Sequence, residues 1–320
     1  MTTLDDIAEI WAAPDGWPLR SIRLDPRPAH ARRGAMLFLN GRGDHMEKYA
    51  EALRDFAALG WQVDSFDWRG QGGSGRLCGT DPMLGHAEDF GIWIDDLSAY
   101  MRDWRSRTQG PHVIVAHSMG GHLALRGLAE RRIEADTAVL LAPMLGISAA
   151  RMPVRLAEFI TRAVCSMGMA CKPVWPHTRI SEDKLSIVQK TLTHSAERFE
   201  QELYIRQHRP DLVMSAPSWG WLRAAYRSMR LLQDRALLAN VTTPLLILAA
   251  EHDRLVSEEA IRNAARWLPN ARTHFYGENV AHEILREVDS VRSDALARIQ
   301  AFFDTEAKSA PSTVHHDITA

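Results

Sequence analysis

The sequence predicts an α/β fold: a mostly parallel sheet with helices on both faces, interrupted by an all-helical insertion. Two observations carry this expectation. Short, continuously apolar strands alternate with helical patterns over residues 35–142 and again over 244–303, as in a sheet buried on both sides. Between Pro143 and about Met229 the alternation stops, and prolines at 153, 173, 176, 210 and 217 punctuate helices and loops instead.

In chain order, residues 35–40 form an apolar run ending at Gly41, which predicts a buried strand. A helical pattern through Tyr49, Leu53, Phe56 and Leu59 is stopped by Gly60. Residues 61–68 alternate Val63 and Phe66 with Asp64 and Asp67, a strand with one polar face. Residues 87–107 place Phe90, Ile94, Leu97 and Met101 on one helical stripe. Strands at 112–116 and 137–142 enclose a helix at 119–131. Late in the chain come a strand at 244–250, a helix at 257–267, a strand at 272–276 and one helix from about Ile284 to Phe303. The predicted organisation is a core in two parts, 1–143 and 231–305, an insertion at 144–230, and a polar tail at 306–320 expected to be disordered.

With 320 residues, 46% hydrophobic, the chain buries about three quarters of its unfolded surface and needs no metal or disulfide staple. Its 38 basic and 40 acidic side chains leave a net charge of −2, which excludes a global footprint for nucleic acid. That balance is uneven. Residues 144–230 hold ten Arg and three Lys against seven acidic residues, a net of +6, so the remainder carries −8. Three cysteines are too few for a secreted disulfide framework and read as small apolar fillers. Asp5, Asp6 and Glu9 precede any basic residue, the reverse of a secretory leader. The expected location is cytoplasmic, and no apolar run approaches the ~18–20 residues of a membrane span.

The chemistry concentrates at Ala116-His117-Ser118-Met119-Gly120-Gly121, between an apolar strand and a helix. A serine on such a turn projects its hydroxyl above the sheet, and its neighbours must be small because the backbone folds back there. A hydroxyl is a weak nucleophile until an imidazole accepts its proton and a carboxylate orients that imidazole. Asp253 and His282 each follow a late strand, on the side to which the serine turn points, and the chain order Ser, acid, His fits. Glu251 and, less so, Glu278 are alternatives for the acid. An oxyanion needs two backbone N–H groups. Met119 is expected to supply one, and Arg42, between Gly41 and Gly43, the other, with its side chain available to an anionic headgroup. Two motifs mislead. Gly70, Gly72 and Gly75 spell G-x-G-x-x-G, but residues 76–82 read as loop, not the helix a dinucleotide needs. His282-Glu283 begins H-E-x-x-H, yet Arg286 stands at the fifth position, so no metal is expected.

These segments resemble the α/β-hydrolases of the bacterial lysophospholipase group, close to the monoacylglycerol lipases. The resemblance rests on residues 40–49 (NGRGDHMEKY), 67–76 (DWRGQGGSGR), 116–121 (AHSMGG), 141–146 (LAPMLG), 192–195 (LTHS) and 281–285 (AHEIL). It departs from the monoacylglycerol lipases at Asn40-Gly41, where they usually carry His-Gly. The resemblance implies an α/β-hydrolase fold and hydrolysis of a single acyl ester through an acyl-enzyme, without metal or cofactor. The expected substrate is a lysophospholipid, with a monoglyceride or short-chain ester as the alternative. A non-catalytic receptor of the same fold would be expected to lack the Ser118, Asp253 and His282 set. The resemblance also makes residues 144–230 a cap over the site. There Met152, Leu156, Phe159, Ile160 and Met167 recur at helical spacing beside Arg151, Arg155 and Arg162. That stripe either packs on the core or binds substrate through Met152, Phe159 and Ile160, with the basic residues drawing the cap to an anionic membrane surface.

Overall fold

Eight strands join in one sheet in the order β1-β2-β4-β3-β5-β6-β7-β8. They are β1 (Glu9–Ala12), β2 (Pro18–Leu24), β3 (Gly34–Leu39), β4 (Trp61–Phe66), β5 (His112–His117), β6 (Thr137–Leu141), β7 (Leu245–Ala250) and β8 (Ala271–Tyr276). The computed structural model describes residues 3–26, 32–79, 81–148, 153–175 and 182–307. From β4 to β8 every pairing is parallel, whereas β2 runs antiparallel to β1 and to β4. Each of the five central strands, β4, β3, β5, β6 and β7, is buried along its whole length. Continuous apolar runs are what a strand covered on both faces requires.

The strand order reverses between β3 and β5, the position outside whose carboxyl ends ligands bind in open α/β sheets. Leu39 pairs with Ala116 there, so the loop leaving β3 and the turn leaving β5 emerge side by side.

The covering helices are α1 (Ala50–Ala58), α2 (Gly91–Arg107), α3 (Met119–Ala129), α9 (Glu258–Ala265) and α10 (Asp289–Glu306). Between β6 and β7 the described residues contain only helices: α4 (Val154–Val164), α5 (Glu182–Leu192), α6 (Ala196–His208), α7 (Trp219–Leu231) and the short α8 (Arg235–Leu238). A π-helical turn, Cys165–Met169, continues α4. Ser195 and Ser218 cap α6 and α7 by accepting the Arg198 and Trp221 amides. α4 packs on α7 through Ala157, Thr161 and Cys165, one residue per turn, all small enough for close approach. Its larger apolar side chains face outward.

Three expectations change. The β1–β2 hairpin was not anticipated, because four and seven residues of mixed polarity give no clear period. The polar face of β4 is buried: Asp64 is held by Arg23 and Arg107, both at 3.2 Å, and burial pushes its carboxyl up to about 6. The expected helix from Ile284 is broken into a 3-10 turn (Ile284–Arg286) and α10. Between them Glu287 is buried and accepts N–H groups from Ala281, His194 and Val288, a set that an uninterrupted helix would not allow.

Candidate active site

Ser118 sits between β5 and α3 at φ 52°, ψ −115°, a strained backbone of a kind that costs roughly 1–3 kcal/mol and persists only where its surroundings fix it. Here they do. The Ser118 amide donates to the Leu141 carbonyl (2.9 Å), and the Ser118 carbonyl accepts the amides of His122 and Met144 (both 3.0 Å). Gly120 presses against the end of β3: a Cβ there would lie 2.5 Å from the carbonyl oxygens of both Leu39 and Asn40. Only glycine lets α3 start that close to the neighbouring strand.

The three expected side chains meet. His282 Nε2 lies 2.9 Å from Ser118 Oγ, and its Nδ1 lies 2.6 Å from Asp253 Oδ2. Asp253 Oδ1 accepts the amides of Leu255 (2.7 Å) and Val256 (3.0 Å), so both carboxylate oxygens are fixed. With Nδ1–H donating to Asp253, Nε2 keeps a lone pair for the serine proton. Burial alone would raise the Asp253 carboxyl, but His282 and the two amides hold it below the usual range. Burial would likewise lower His282. The Asp253 charge and hydrogen bond outweigh this, with Glu283 and Asp44 adding to them, and its pKa is raised. The alternative acids lie elsewhere: Glu251 pairs with Arg262 at 3.4 Å and Glu278 with His252 at 3.3 Å.

The Gly41 amide donates to Asp44 Oδ2 (3.0 Å). The next amide, that of Arg42, makes no hydrogen bond among the described residues, and neither does that of Met119. The Arg42 side chain, by contrast, is engaged. It donates to the Ser215 carbonyl (2.6 Å) and lies over the Trp221 ring (5.1 Å), and burial lowers it to about 10, so it is not free for a headgroup. Phe159 and Ile160 lie on the outer face of α4, 69% and 36% exposed. Met152 lies outside the described residues.

Two features were not legible as site components. His117 Nε2 faces the His282 carbonyl at 3.3 Å and therefore carries the proton, while Nδ1 accepts the Tyr49 hydroxyl at 2.7 Å. A neutral imidazole thus ties the serine turn to the His282 loop, consistent with burial lowering its pKa. Beneath it, Lys48 Nζ meets Asp44 (2.7 Å), Glu283 (2.5 Å) and Glu202 (3.4 Å), and Arg286 Nη1 bridges Glu283 (2.7 Å) and Glu202 (2.8 Å). All five side chains are buried. The network joins the β3 loop, the His282 loop and α6, whose Glu202 comes from the segment between β6 and β7.

Residues 30–289 match the family model described as serine aminopeptidase, S33. The chain is 32% identical to lysophospholipase L2 of Escherichia coli over 306 residues, covering 91% of this chain and 85% of that protein. It is 28% identical to a probable lysophospholipase L2 of Haemophilus influenzae, covering 90% of each. Among solved structures, a monoglyceride lipase from Saccharomyces cerevisiae superposes with a TM-score of 0.74 at 15% identity, over 96% of this chain and 97% of that one.

The buried network gives a prediction. Lys48→Met removes the Lys or Arg partner of Asp44 and leaves Glu283 to Arg286 and Glu202 to Arg286 and Arg206, and breaking a buried ion pair from one side costs about 3–5 kcal/mol. Urea unfolding of the variant is expected to show a loss of that size, and a loss below about 1 kcal/mol, the scale of exposed pairs, contradicts the description of Lys48 as the keystone of this cluster.

Proposed function

Because the chain belongs to the serine aminopeptidase S33 family, we propose that it is a serine carboxylic-ester hydrolase, and specifically a lysophospholipase. The observation that carries this is the hydrogen-bonded sequence Asp253–His282–Ser118 beside two unpartnered amides. In this reading His282 takes the Ser118 proton as Oγ attacks the acyl carbonyl. Asp253 fixes the tautomer and stabilises the imidazolium, while the Arg42 and Met119 N–H groups receive the oxyanion. His282 then protonates the departing glycerol oxygen. Water, activated by the same imidazole, releases the fatty acid from the serine.

The same nucleophile could open an amide, as the family description implies. The ester reading rests on two relatives named for lysophospholipid hydrolysis that match this chain over 85–90% of their own length. A monoacylglycerol is the second reading, supported by the shared fold of the monoglyceride lipase.

Residues 144–230 serve as the cap in this proposal. α4 turns an apolar face to solvent, with Leu156, Phe159, Ile160 and Met167 between 36% and 69% exposed. Arg155 and Arg162 stand beside it without an ion pair among the described residues. A buried CH₂ contributes about 0.8 kcal/mol and a basic residue near an anionic surface about 1 kcal/mol. This face therefore suits a peripheral contact with anionic lipid, through which substrate leaves the membrane. No helix among the described residues is long and apolar enough to cross a membrane. Cys78, Cys165 and Cys171 form no disulfide among the described residues, which fits the reducing cytoplasm and with it the inner membrane face.

Three outcomes are expected. Ser118→Ala should lower ester turnover by about 10⁴–10⁶-fold with an unchanged fold, and should abolish labelling by a fluorophosphonate; retained turnover defeats the mechanism. The acid limb of kcat/KM should have its midpoint above the ordinary imidazole value of 6.5. His282 must be neutral to accept the proton, so activity disappears as pH falls through its raised pKa, and Asp253→Asn should move that limb down. Finally, in Phe159→Ser/Ile160→Ser the ratio of activity on vesicle-borne lysophospholipid to activity on a water-soluble nitrophenyl ester should fall about tenfold. Vesicle binding indifferent to salt, to anionic lipid and to these substitutions removes the membrane role.

A further inference from the structure

A cavity of about 80 Å³ lies where the end of α5 meets the loops that carry Asp253 and His282. Its wall includes Lys190 from the last turn of α5, His194 just beyond it, His252 and Arg254 on either side of Asp253, and Ala281 next to His282. Glu278 is the one carboxylate among its lining residues, and it is paired with His252. We propose that this cavity is a phosphate-binding site.

The charges are the first reason. Lys48, Arg198, Arg262 and Arg286, on the elements around it, each have carboxylate partners. Lys190 and Arg254 have none among the described residues, yet both border the same small space. Both are exposed, and against the single Glu278 carboxylate the two cations leave the rim of the cavity with a net positive charge that a bound anion offsets. Arginine supplies a planar fork that matches two phosphate oxygens, and lysine a point charge.

The backbone is the second. A helix C-terminus ordinarily repels anions through its free carbonyls. At the end of α5 three of the last four carbonyls are occupied: Gln189 accepts the Thr193 amide (2.8 Å), Thr191 that of His282 (3.4 Å) and Leu192 that of Glu283 (2.8 Å). His194 is held at the cavity wall by its Nδ1–H donation to the buried Glu287 (2.7 Å). Size is the third. A single water needs roughly 10–15 Å³, so the cavity accommodates a tetrahedral oxyanion.

The phosphate has two possible sources. It is the headgroup of a lysophospholipid whose ester lies at Ser118, which rests on the function proposed above, or it is free phosphate acting beside the Asp253–His282 pair. Calorimetric titration of the full chain with sn-glycerol 3-phosphate and with inorganic phosphate tests the site itself. Binding is expected in the wild type, lost in Lys190→Ala/Arg254→Ala and retained in Lys190→Arg/Arg254→Lys. Absence of binding to the wild type, or binding unchanged in the double alanine variant, overturns the proposal. Kinetics then separates the sources through the ratio of kcat/KM for lysophosphatidylethanolamine to that for a monoacylglycerol of the same chain. A fall of about tenfold or more in the alanine variant, carried by KM, identifies the headgroup, the scale of a lost charge-assisted hydrogen bond. An unchanged ratio with binding lost identifies free phosphate and excludes the headgroup. The titration needs no ester turnover, so it decides the site even if the lysophospholipase reading fails.

Discussion

The close approach of Gly120 to the end of β3 sets the geometry on which the rest of the site depends. Because α3 begins against the carbonyls of Leu39 and Asn40, the serine turn is forced into its strained conformation and lies beside the loop that follows β3. The second close contact belongs to Gly41, where a Cβ would lie 2.7 Å from Asp44 Oδ2 and 3.2 Å from the Ser118 Cβ. Two glycines, Gly41 in the loop after β3 and Gly120 in the first turn of α3, thus bring the hydroxyl and the amides of Arg42 and Met119 together. The sheet supplies the alignment through the Leu39–Ala116 pairing. The strain at Ser118 is then a consequence of packing that the whole parallel sheet maintains.

Electrostatics extends that placement to residues far apart in sequence. Asp44 accepts the Gly41 amide and the Lys48 ammonium, and Lys48 also holds Glu283, the residue after His282. Burial alone would raise the Asp44 carboxyl, but the Lys48 ammonium keeps it well below its usual range, so it stays charged. Glu202 on α6 completes the circuit through Lys48 and Arg286. Any shift of α6 relative to the sheet must therefore rearrange charges that contact both the β3 loop and the His282 loop. Arg42 provides a second tie to the same segment through Ser215 and Trp221.

How much of this the sequence made legible follows from range. The central strands are found to within a residue or two because β3, β5, β6 and β7 are apolar runs and β4 alternates with period two. Ser118, Asp253 and His282 are legible because the fold places all three beyond strand ends in a fixed order. Lys48, Glu202 and Arg286 are not: Lys48 and Arg286 lie on separate 3-10 turns and Glu202 on a helix of the β6–β7 segment, and no local pattern pairs them. The break at Glu287 is hidden for the same reason, since the helical period runs through it and only the tertiary hydrogen bonds of its carboxylate forbid the helix. Periodicity correctly makes α4 amphipathic but does not say which face is inward. Its small residues Ala157, Thr161 and Cys165 face α7, and the large apolar stripe faces out.

The charge asymmetry also has to be read through its partners. The +6 of residues 144–230 counts side chains that do not contribute freely to a surface field. Arg198, Arg206, Arg209 and Arg230 are each paired with a carboxylate, and exposed or half-buried pairs of this kind leave little net potential beyond a Debye length of about 8 Å. Among the described residues Arg155, Arg162, Lys172, Lys190 and Arg223 have no carboxylate partner, and three of them stand beside features already described. Arg155 and Arg162 flank the outward apolar face of α4, and Lys190 and Arg254 line the cavity beside the Asp253 and His282 loops. One placement suits an extended anionic surface with apolar depth behind it, and the other the single compact anion proposed there. A lysophospholipid presents both in turn, first as part of a membrane and then as one molecule with a phosphate tied to its ester through glycerol. A monoglyceride presents no phosphate, so the cations at the cavity would have no counterpart in it. With the phosphate site proposed above, it is the position of these charges, more than their sum, that favours the lysophospholipid reading over the monoglyceride one.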